Sequence, residues 1–290
     1  MNEVLLSGLN QSGLIVLELI IGFGLFWLGQ LAYQKLFRRR MELNVELFVK
    51  DNPAVAIALV GYYLGIVIAL GGALDKTAAT LQDELVLLVS YGATVITFML
   101  AGAWAGDRLI LRCFQCDREI IQDRNVGAAT VEAGNHIANG LILNAALAGN
   151  SGTWLVALVC WLIGLGVLVL VSVVYPRVTK YDVFGEIQKR NNPAAGVALA
   201  GLLIATGNIV RVAFASEFQN WLVSFTQYGF VLLFSLVSLV AIRWLADLIL
   251  VPGVKISDEI VNQEIPNLGV GLIEAFAYIA ASFLIAWCFA

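Results

Sequence analysis

The sequence predicts an all-α polytopic membrane protein with eight transmembrane helices, built as a tandem repeat of two four-helix units. Three observations lead to this prediction: the apolar composition, eight long apolar segments, and a set of residues that recurs at a fixed interval. Of the 290 residues, 60% are hydrophobic and only 13% are charged, against roughly a quarter charged in soluble domains. A water-soluble fold of this size could not bury so many apolar side chains, whereas a lipid bilayer accommodates them.

Each of the eight apolar segments is long enough to cross the hydrocarbon core, which takes about 20 residues as a helix. They lie at 13–36, 53–74, 85–111, 126–148, 153–176, 193–214, 220–250 and 267–289. None of them alternates apolar and polar residues as a membrane β-strand does, so helices are predicted. The connecting stretches leave room only for turns or short interfacial helices.

Identical residues 140 positions apart indicate an internal duplication. The pairs include Asn52 and Asn192 (192 − 52 = 140), Pro53 and Pro193, Gly61 and Gly201, Trp104 and Trp244, and Asp107 and Asp247. Because an even number of spans separates the copies, both halves insert in the same direction, unlike the inverted repeats of many transporters. The predicted units are residues 1–150 and 151–290.

Four of the segments begin with an asparagine that is followed by small residues. These starts are "NPAVAIALVG" at Asn52, "NVGAATVEAG" at Asn125, "NPAAGVALAG" at Asn192 and "NLGVGLIEAF" at Asn267, and a glutamate precedes each of them (Glu46, Glu119, Glu186 and Glu259). Asparagine is a good helix N-cap, and Pro53 and Pro193 lose no hydrogen bond at the next position. The pattern predicts four helical hairpins with structural helix starts. A ligand-binding role for the asparagines is the alternative.

The basic residues predict the orientation in the membrane. Of the 17 lysines and arginines, only Lys76 and Arg211 fall outside the loops that follow the first, third, fifth and seventh spans or the adjoining helix ends. By the positive-inside tendency these loops are cytoplasmic, which places both termini outside. Near the cytoplasmic helix ends we expect Asp107 to pair with Arg108, and Asp247 with Arg243.

On these motifs, each half resembles the YjfL-like bacterial inner-membrane proteins, a family known as domain of unknown function 350. The matching residues are Asn52, Ala54, Ala58 and Gly61, then Asn125, Gly127, Ala128 and Ala129, then Asn192, Ala194, Ala195 and Gly201. The fourth start, at Asn267, fits loosely because Val270 interrupts its small residues. The resemblance implies a four-helix membrane unit in each half and a multi-pass protein of the bacterial inner membrane, and it carries no reaction.

One polar helix face stands out as a candidate site for ion or proton handling. Glu132, Asn135, His136 and Asn139 recur at helical spacing on the fourth segment, and ionisable groups inside spans are expensive and usually functional. A glutamate and a histidine one turn apart can pass a proton or hold a cation. Glu274 repeats Glu132 in the second half, with Tyr278 in place of the histidine. A hydrogen-bonded seam between helices is the other interpretation.

The sequence therefore leaves two functions open for an integral membrane protein. One is a small-ion or proton channel or transporter that uses this polar face. The other is a non-catalytic scaffold whose basic loops, with Arg38, Arg39 and Arg40, recruit a cytoplasmic protein or anionic lipids.

The residues do not assemble into a catalytic set, so we expect a protein that is not an enzyme. We expect no cofactor, no metal and no nucleic acid, and the lipid bilayer is the predicted partner. A homo-oligomer stays open, as does the role of Cys113 and Cys116, which form a lone C-x-x-C.

Overall fold

The computed structural model describes residues 2–39, 41–74, 81–112, 114–148, 153–179 and 181–289, and within these ranges the regular structure is helical, as predicted. The helices are α1 (Asn2–Ala32), α2 (Leu43–Phe48), α3 (Pro53–Leu74), α4 (Leu81–Ala105), α5 (Val126–Ala148), α6 (Trp154–Thr179), α7 (Val183–Arg190), α8 (Pro193–Ala213), α9 (Trp221–Ile249), α10 (Ile256–Val261) and α11 (Leu268–Phe289). π-helical turns at Tyr33–Phe37 and Gly106–Ile110 end α1 and α4, and a third lies at Arg118–Gln122.

Among the described residues, seven of the long helices are both long enough and apolar enough to cross a membrane: α1, α3, α4, α6, α8, α9 and α11. The eighth, α5, has 23 residues and a length of about 34 Å, which exceeds the hydrocarbon thickness. Its polar residues, among them Glu132 and His136, lower its hydropathy. Other helices enclose α5 and most of its residues are buried, so these side chains meet protein rather than lipid.

Four helices, α3, α5, α8 and α11, lie side by side in a row, with their backbones in close approach. A glycine lies at each of these contacts, usually opposite another small residue, and a Cβ added to it would overlap the neighbouring backbone. In each contacting pair, residue numbers increase in the same direction along both helices, so the four helices are parallel. The facing pairs include Gly61 with Ala133 and Gly72 with Asn144 (α3 and α5), Gly134 with Ala200 and Gly207 with Ala138 (α5 and α8), and Ala194 with Gly271 and Gly201 with Ala275 (α8 and α11).

A second layer covers this row. Helix α4 packs against α3 and α5, α6 against α5 and α8, and α9 against α8 and α11, while α1 packs mainly against α4. Of the second-layer helices, α4 runs opposite to the row, because Gly102 of α4 lies over Asn139 of α5 and the later Gly106 lies over the earlier Asn135. Their outer surfaces carry exposed apolar side chains such as Phe23 and Phe230, as expected for a surface in contact with lipid.

The side where the four row helices start is called here the asparagine face. At each start the asparagine Oδ1 accepts a hydrogen bond from a first-turn amide, and its Nδ2 donates to the upstream glutamate. The Nδ2 distances are 3.1 Å for Asn52 to Glu46, 2.9 Å for Asn125 to Glu119, 3.0 Å for Asn192 to Glu186 and 2.9 Å for Asn267 to Glu259.

Three of these asparagines also connect neighbouring hairpins. Their Nδ2 atoms donate to a backbone carbonyl of the next interfacial segment along the row: Asn52 to Ile120 (3.0 Å), Asn125 to Ile187 (2.8 Å) and Asn192 to Ile260 (2.8 Å). Asn267, at the end of the row, is exposed. The helix-start motif therefore caps each helix and also links each hairpin to the next.

The backbone before each asparagine explains one irregularity of the repeat. Asp51, Arg124 and Asn191 adopt left-handed conformations with φ near +50°, which turn the chain sharply from the interfacial segment into the row helix. Proline cannot adopt such a φ. In the fourth hairpin Pro266 occupies this position, and the connection from Glu259 to Asn267 spans eight residues, where Glu186 to Asn192 spans six.

We expect Gly134→Ala to destabilise the row and Gly166→Ala to leave it intact. A Cβ on Gly134 would lie 2.8 Å from Ala200 Cα, whereas a Cβ on Gly166 of α6 meets nothing within 4 Å. Both substitutions gain the same helix propensity, so the difference between them reports overpacking, which costs about 1–3 kcal/mol. Melting temperatures in detergent measure it, and equal values for both variants would contradict the close approach.

We expect Asn192→Ala to lower the melting temperature more than Asn267→Ala. Both variants lose a helix cap, at about 1 kcal/mol, but only Asn192 also bonds the Ile260 carbonyl of the next segment. Losing that bond leaves a carbonyl without its donor, which adds roughly 1 kcal/mol. If the two variants have the same melting temperature, the link between hairpins contributes nothing to stability.

Candidate functional site

A buried guanidinium lies at the centre of the candidate site. Arg38 follows the π-helical turn that ends α1, and only 4% of it is exposed. Its Nη2 lies 2.5 Å from Glu132 Oε2, and its Nη1 lies 2.8 Å from Asp117 Oδ1 and 3.1 Å from Asp107 Oδ2. One cation therefore holds three carboxylates, from α5, from the loop after α4, and from the end of α4.

The second oxygen of Glu132 is also bonded. The Tyr33 hydroxyl donates to Glu132 Oε1 at 2.6 Å, and His136 Nε2 lies 3.3 Å from the same oxygen. Glu132 is 1% exposed and His136 is fully buried. Because each oxygen has a donor, Glu132 can remain ionised in a place where an unpaired carboxylate would be very costly.

Two π-helical turns place the partners of this network. Tyr33 opens the turn at the end of α1, and Asp107 lies in the matching turn at the end of α4. A π turn fits an extra residue into the helix and is frequent at functional sites. The turns leave Arg38 and Asp107 at the same level as Glu132, near the asparagine face.

Neighbouring carboxylates keep Arg38 ionised, and burial keeps Cys116 protonated. Burial by itself lowers the pKa of Arg38, but Glu132 and Asp107 raise it well above the ordinary value. Burial, and then the negative charge of Asp107, raises the pKa of the Cys116 thiol. The thiol is therefore protonated at neutral pH, which makes it a poor nucleophile.

Cys113, the partner of Cys116 in the C-x-x-C, lies outside the described residues, as do Arg40 and Lys76.

The polar face of α5 is divided between two sets of neighbours. Glu132 and His136 face Tyr33 in the π-helical turn after α1, whereas Asn135 faces the turn after α4, and Asn139 faces α4 and α6. Asn139 accepts from Trp161 Nε1 at 2.9 Å and donates to the Phe98 carbonyl. Asn135 packs on Gly106, and its buried Oδ1 has no hydrogen-bond partner among the described residues. Thus the two asparagines form part of a seam between helices, while Glu132 and His136 form an ionisable pair.

The second half contains a related site around Glu274. The Tyr175 hydroxyl donates to Glu274 Oε1 at 3.0 Å, and Arg243 Nε lies 2.9 Å from the same oxygen. Tyr278 replaces the histidine and lies 3.4 Å from this oxygen. Since α8 lies between α5 and α11 in the row, Glu132 and Glu274 belong to separate sites.

The expected pairing of the two aspartates is correct in one half and wrong in the other. Asp247 lies 3.4 Å from Arg243, as expected. Asp107 pairs with Arg38 instead of Arg108, because the turn after α1 brings Arg38 inward while the Arg108 guanidinium lies over the Trp104 ring, 5.6 Å from its centre. One sequence signal could have revealed part of the network: Tyr33 precedes Glu132 by 99 residues and Tyr175 precedes Glu274 by the same 99.

A polar cavity of about 670 Å³ opens at the asparagine face and reaches this network. Arg38 and Asp107 form its inner wall together with Cys116, and its outer wall includes Arg108 and Arg112. The ionisable pair is thus separated from the cavity by one side chain, that of Arg38.

Comparison with known proteins places the chain among membrane proteins. A family model described as Domain of Unknown Function (DUF350) matches residues 5–147 and again residues 150–289, which confirms the predicted resemblance in two tandem copies. A "UPF0719 transmembrane protein" of Aquifex aeolicus (strain VF5) is 24% identical over 267 residues, which cover 90% of this chain and 95% of that protein. No solved structure matches the chain.

We expect Arg38→Gln to destabilise the fold by about 3–5 kcal/mol, because it leaves Glu132 buried without its cation. The double variant Arg38→Gln/Glu132→Gln should recover most of this loss. Arg39→Gln is the matched control, since Arg39 is exposed and its loss should cost less than about 0.5 kcal/mol. A double-mutant cycle on unfolding in detergent measures the coupling, and additive effects would show that the pair is not energetically linked.

Proposed function

We propose that this chain, which belongs to the family described as Domain of Unknown Function (DUF350), is a bacterial inner-membrane protein that passes protons or another small cation through the Glu132 site. The observation that carries this proposal is the buried Glu132–His136 pair behind Arg38 at the end of a polar cavity. Nothing in the comparisons points to catalytic activity, so the proposal assigns the site to transport rather than to a reaction.

For the topology, we propose that α5 is the eighth span and that the asparagine face lies in the cytoplasm. The length of α5 supports the first point, as does its position in the row between α3 and α8. The basic residues near the asparagine face, among them Arg112, Arg124 and Arg190, support the second by the positive-inside tendency. With eight spans, both termini are then outside.

The depth of the pair suits a proton pathway that opens from one side. Counting from the first residue of α5 at 1.5 Å per residue, Glu132 lies about 9 Å and His136 about 15 Å from the helix start. His136 therefore lies near the middle of a hydrocarbon core of roughly 30 Å. The cavity leads from the asparagine face to Arg38, and Arg38 contacts Glu132 directly.

The hydrogen bonds suggest how a proton moves between the two residues. When His136 Nε2 carries a proton, it donates to Glu132 Oε1, and Nδ1 is left as the acceptor. Nδ1 is buried and has no hydrogen-bond partner among the described residues. A proton that arrives at Nδ1 lets the Nε2 proton pass to Glu132. Neutral Glu132 then releases Arg38, which stays paired with Asp107 and Asp117 on the cavity side.

We assign a structural role to the Glu274 site. Tyrosine ordinarily titrates near pH 10, so Tyr278 does not exchange protons near neutral pH as a histidine does. Arg243 and Tyr175 both contact Glu274 Oε1 from within the helix bundle, whereas Glu274 Oε2 has no hydrogen-bond partner among the described residues. The proposed pathway therefore belongs to the first half alone.

A scaffold that recruits a cytoplasmic protein or anionic lipids is the second candidate function. It is supported by exposed residues near the asparagine face: Phe48, the last residue of α2, and Val49 after it are 78% and 74% exposed, and Arg39 is exposed. Such mixtures of apolar and basic residues suit a membrane surface or a partner. Arg38 cannot contribute to this surface because it is buried. Either function is compatible with a homo-oligomer.

We expect Glu132→Gln to abolish proton flux. Wild-type protein in proteoliposomes should dissipate an imposed pH gradient, and Glu132→Gln should reduce the flux to that of empty vesicles because it removes the proton acceptor next to His136. Glu274→Gln and the exposed control Glu264→Gln should retain the flux. Repeating the assay with Na⁺ and K⁺ gradients identifies the cation. Wild-type flux no greater than that of empty vesicles, for every ion, would reject transport and favour the scaffold.

A further inference from the structure

The cavity at the asparagine face has the size and charge of a binding site for a small anion. Its volume of about 670 Å³ falls within the range of small-molecule sites, roughly 300–1,000 Å³. Four arginines line it (Arg38, Arg108, Arg112 and Arg118) against two aspartates (Asp107 and Asp117). The lining residues therefore carry an excess of two positive charges, 4 − 2, while Glu132 and Asp123, which lie outside the lining, pair with Arg38 and Arg118.

Two of these arginines have no acidic partner among the described residues. Arg38 is committed to Glu132 and the two aspartates, and Arg118 lies 3.3 Å from Asp123. Arg108 and Arg112 form no ion pair with a described carboxylate, and both are exposed. Their guanidinium groups are thus free to bind a ligand without first breaking a salt bridge.

The second half shows that these arginines are not required by the fold. At the 140-residue offset that relates Asp107 to Asp247, the positions of Arg108, Arg112 and Arg118 are occupied by Leu248, Pro252 and Asp258. A general need for positive charge in cytoplasmic loops explains arginine at any position in them. It does not explain why three arginines converge on the cavity of one half and none occurs at the equivalent positions of the other.

We infer that this cavity binds a phosphate group, held mainly by Arg108 and Arg112. The planar guanidinium donates two parallel hydrogen bonds to phosphate oxygens, which makes arginine the preferred residue for this recognition. Trp104, which also lines the cavity and is 58% exposed, is typical of a membrane interface. The phosphate can belong to the headgroup of an anionic phospholipid or to a soluble compound. Phosphate binding at this cavity does not depend on the proposed proton transport through Glu132.

Binding can be measured on the full-length protein in detergent by ligand-induced thermal stabilisation. The probes are phosphatidylglycerol, inorganic phosphate and, as a lipid without net charge, phosphatidylcholine. The test variant is Arg108→Gln/Arg112→Gln. The control is Arg177→Gln/Lys255→Gln, which removes two exposed cations outside the cavity lining. We expect the probe to stabilise both the wild type and the control. In the test variant, we expect each arginine lost to weaken binding by up to about tenfold.

The outcomes separate the two phosphate sources. Stabilisation by phosphatidylglycerol alone assigns a lipid headgroup, and stabilisation by inorganic phosphate, alone or as well, assigns a site open to soluble phosphates. If no probe stabilises the wild type, or if the test variant responds as the wild type does, the inference is wrong. Should the double variant fail to fold, Arg112→Gln alone replaces it, because Arg112 is exposed and outside the spans; the same criteria then apply to it.

Discussion

The close backbone approach of four parallel helices is the constraint on which the rest of this structure depends. Because the four helices are parallel, their dipoles point the same way, and four partly positive N-termini lie side by side at the asparagine face. Each N-terminus has a glutamate next to it, from Glu46 in the first hairpin to Glu259 in the fourth, and each carboxylate is bonded to the capping asparagine. The repeated glutamate and asparagine therefore supply negative charge where the packing of the row concentrates positive charge.

The same packing decides where large and polar side chains can lie. Glycine and alanine occupy most contacts within the row, so Glu132 and the other polar side chains in the first half of α5 point between the layers, whereas Asn144 donates to the Ile68 carbonyl of α3. Glu132 becomes buried there, and a buried carboxylate needs a cation nearby. The two halves meet this need differently: Arg38 comes from the turn after α1, and Arg243 from within α9. The residue 140 positions before Arg243 is Ala103, so the duplicated sites share a charge pair but not the position of its arginine.

Local features of the site were predictable from the sequence, and its long-range contacts were not. Glu132 and His136 are one helical turn apart, so their contact follows from helix geometry. Arg38 is 94 residues from Glu132. It occurs in a run of three arginines, Arg38 to Arg40, which is typical of a solvent-exposed loop. Nothing in that run distinguishes the buried Arg38 from the exposed Arg39. The division of the α5 face was equally hidden, because spacing along a helix does not show which neighbour each side chain meets.

By itself, the sequence determined the helical character of the chain, the approximate positions of its long apolar helices, the tandem family match and the capping residues of the row; α1 begins at Asn2, earlier than the predicted residue 13. Each of these depends on composition or on residues within a turn or two, where hydropathy, helix period and hydrogen bonding act locally. The tertiary structure decided the order of helices in the row, the burial of Arg38, the separation of Glu132 from Glu274 and the gathering of arginines around one cavity. These features depend on which helices become neighbours, and that follows from shape complementarity between distant small residues, which no local pattern encodes.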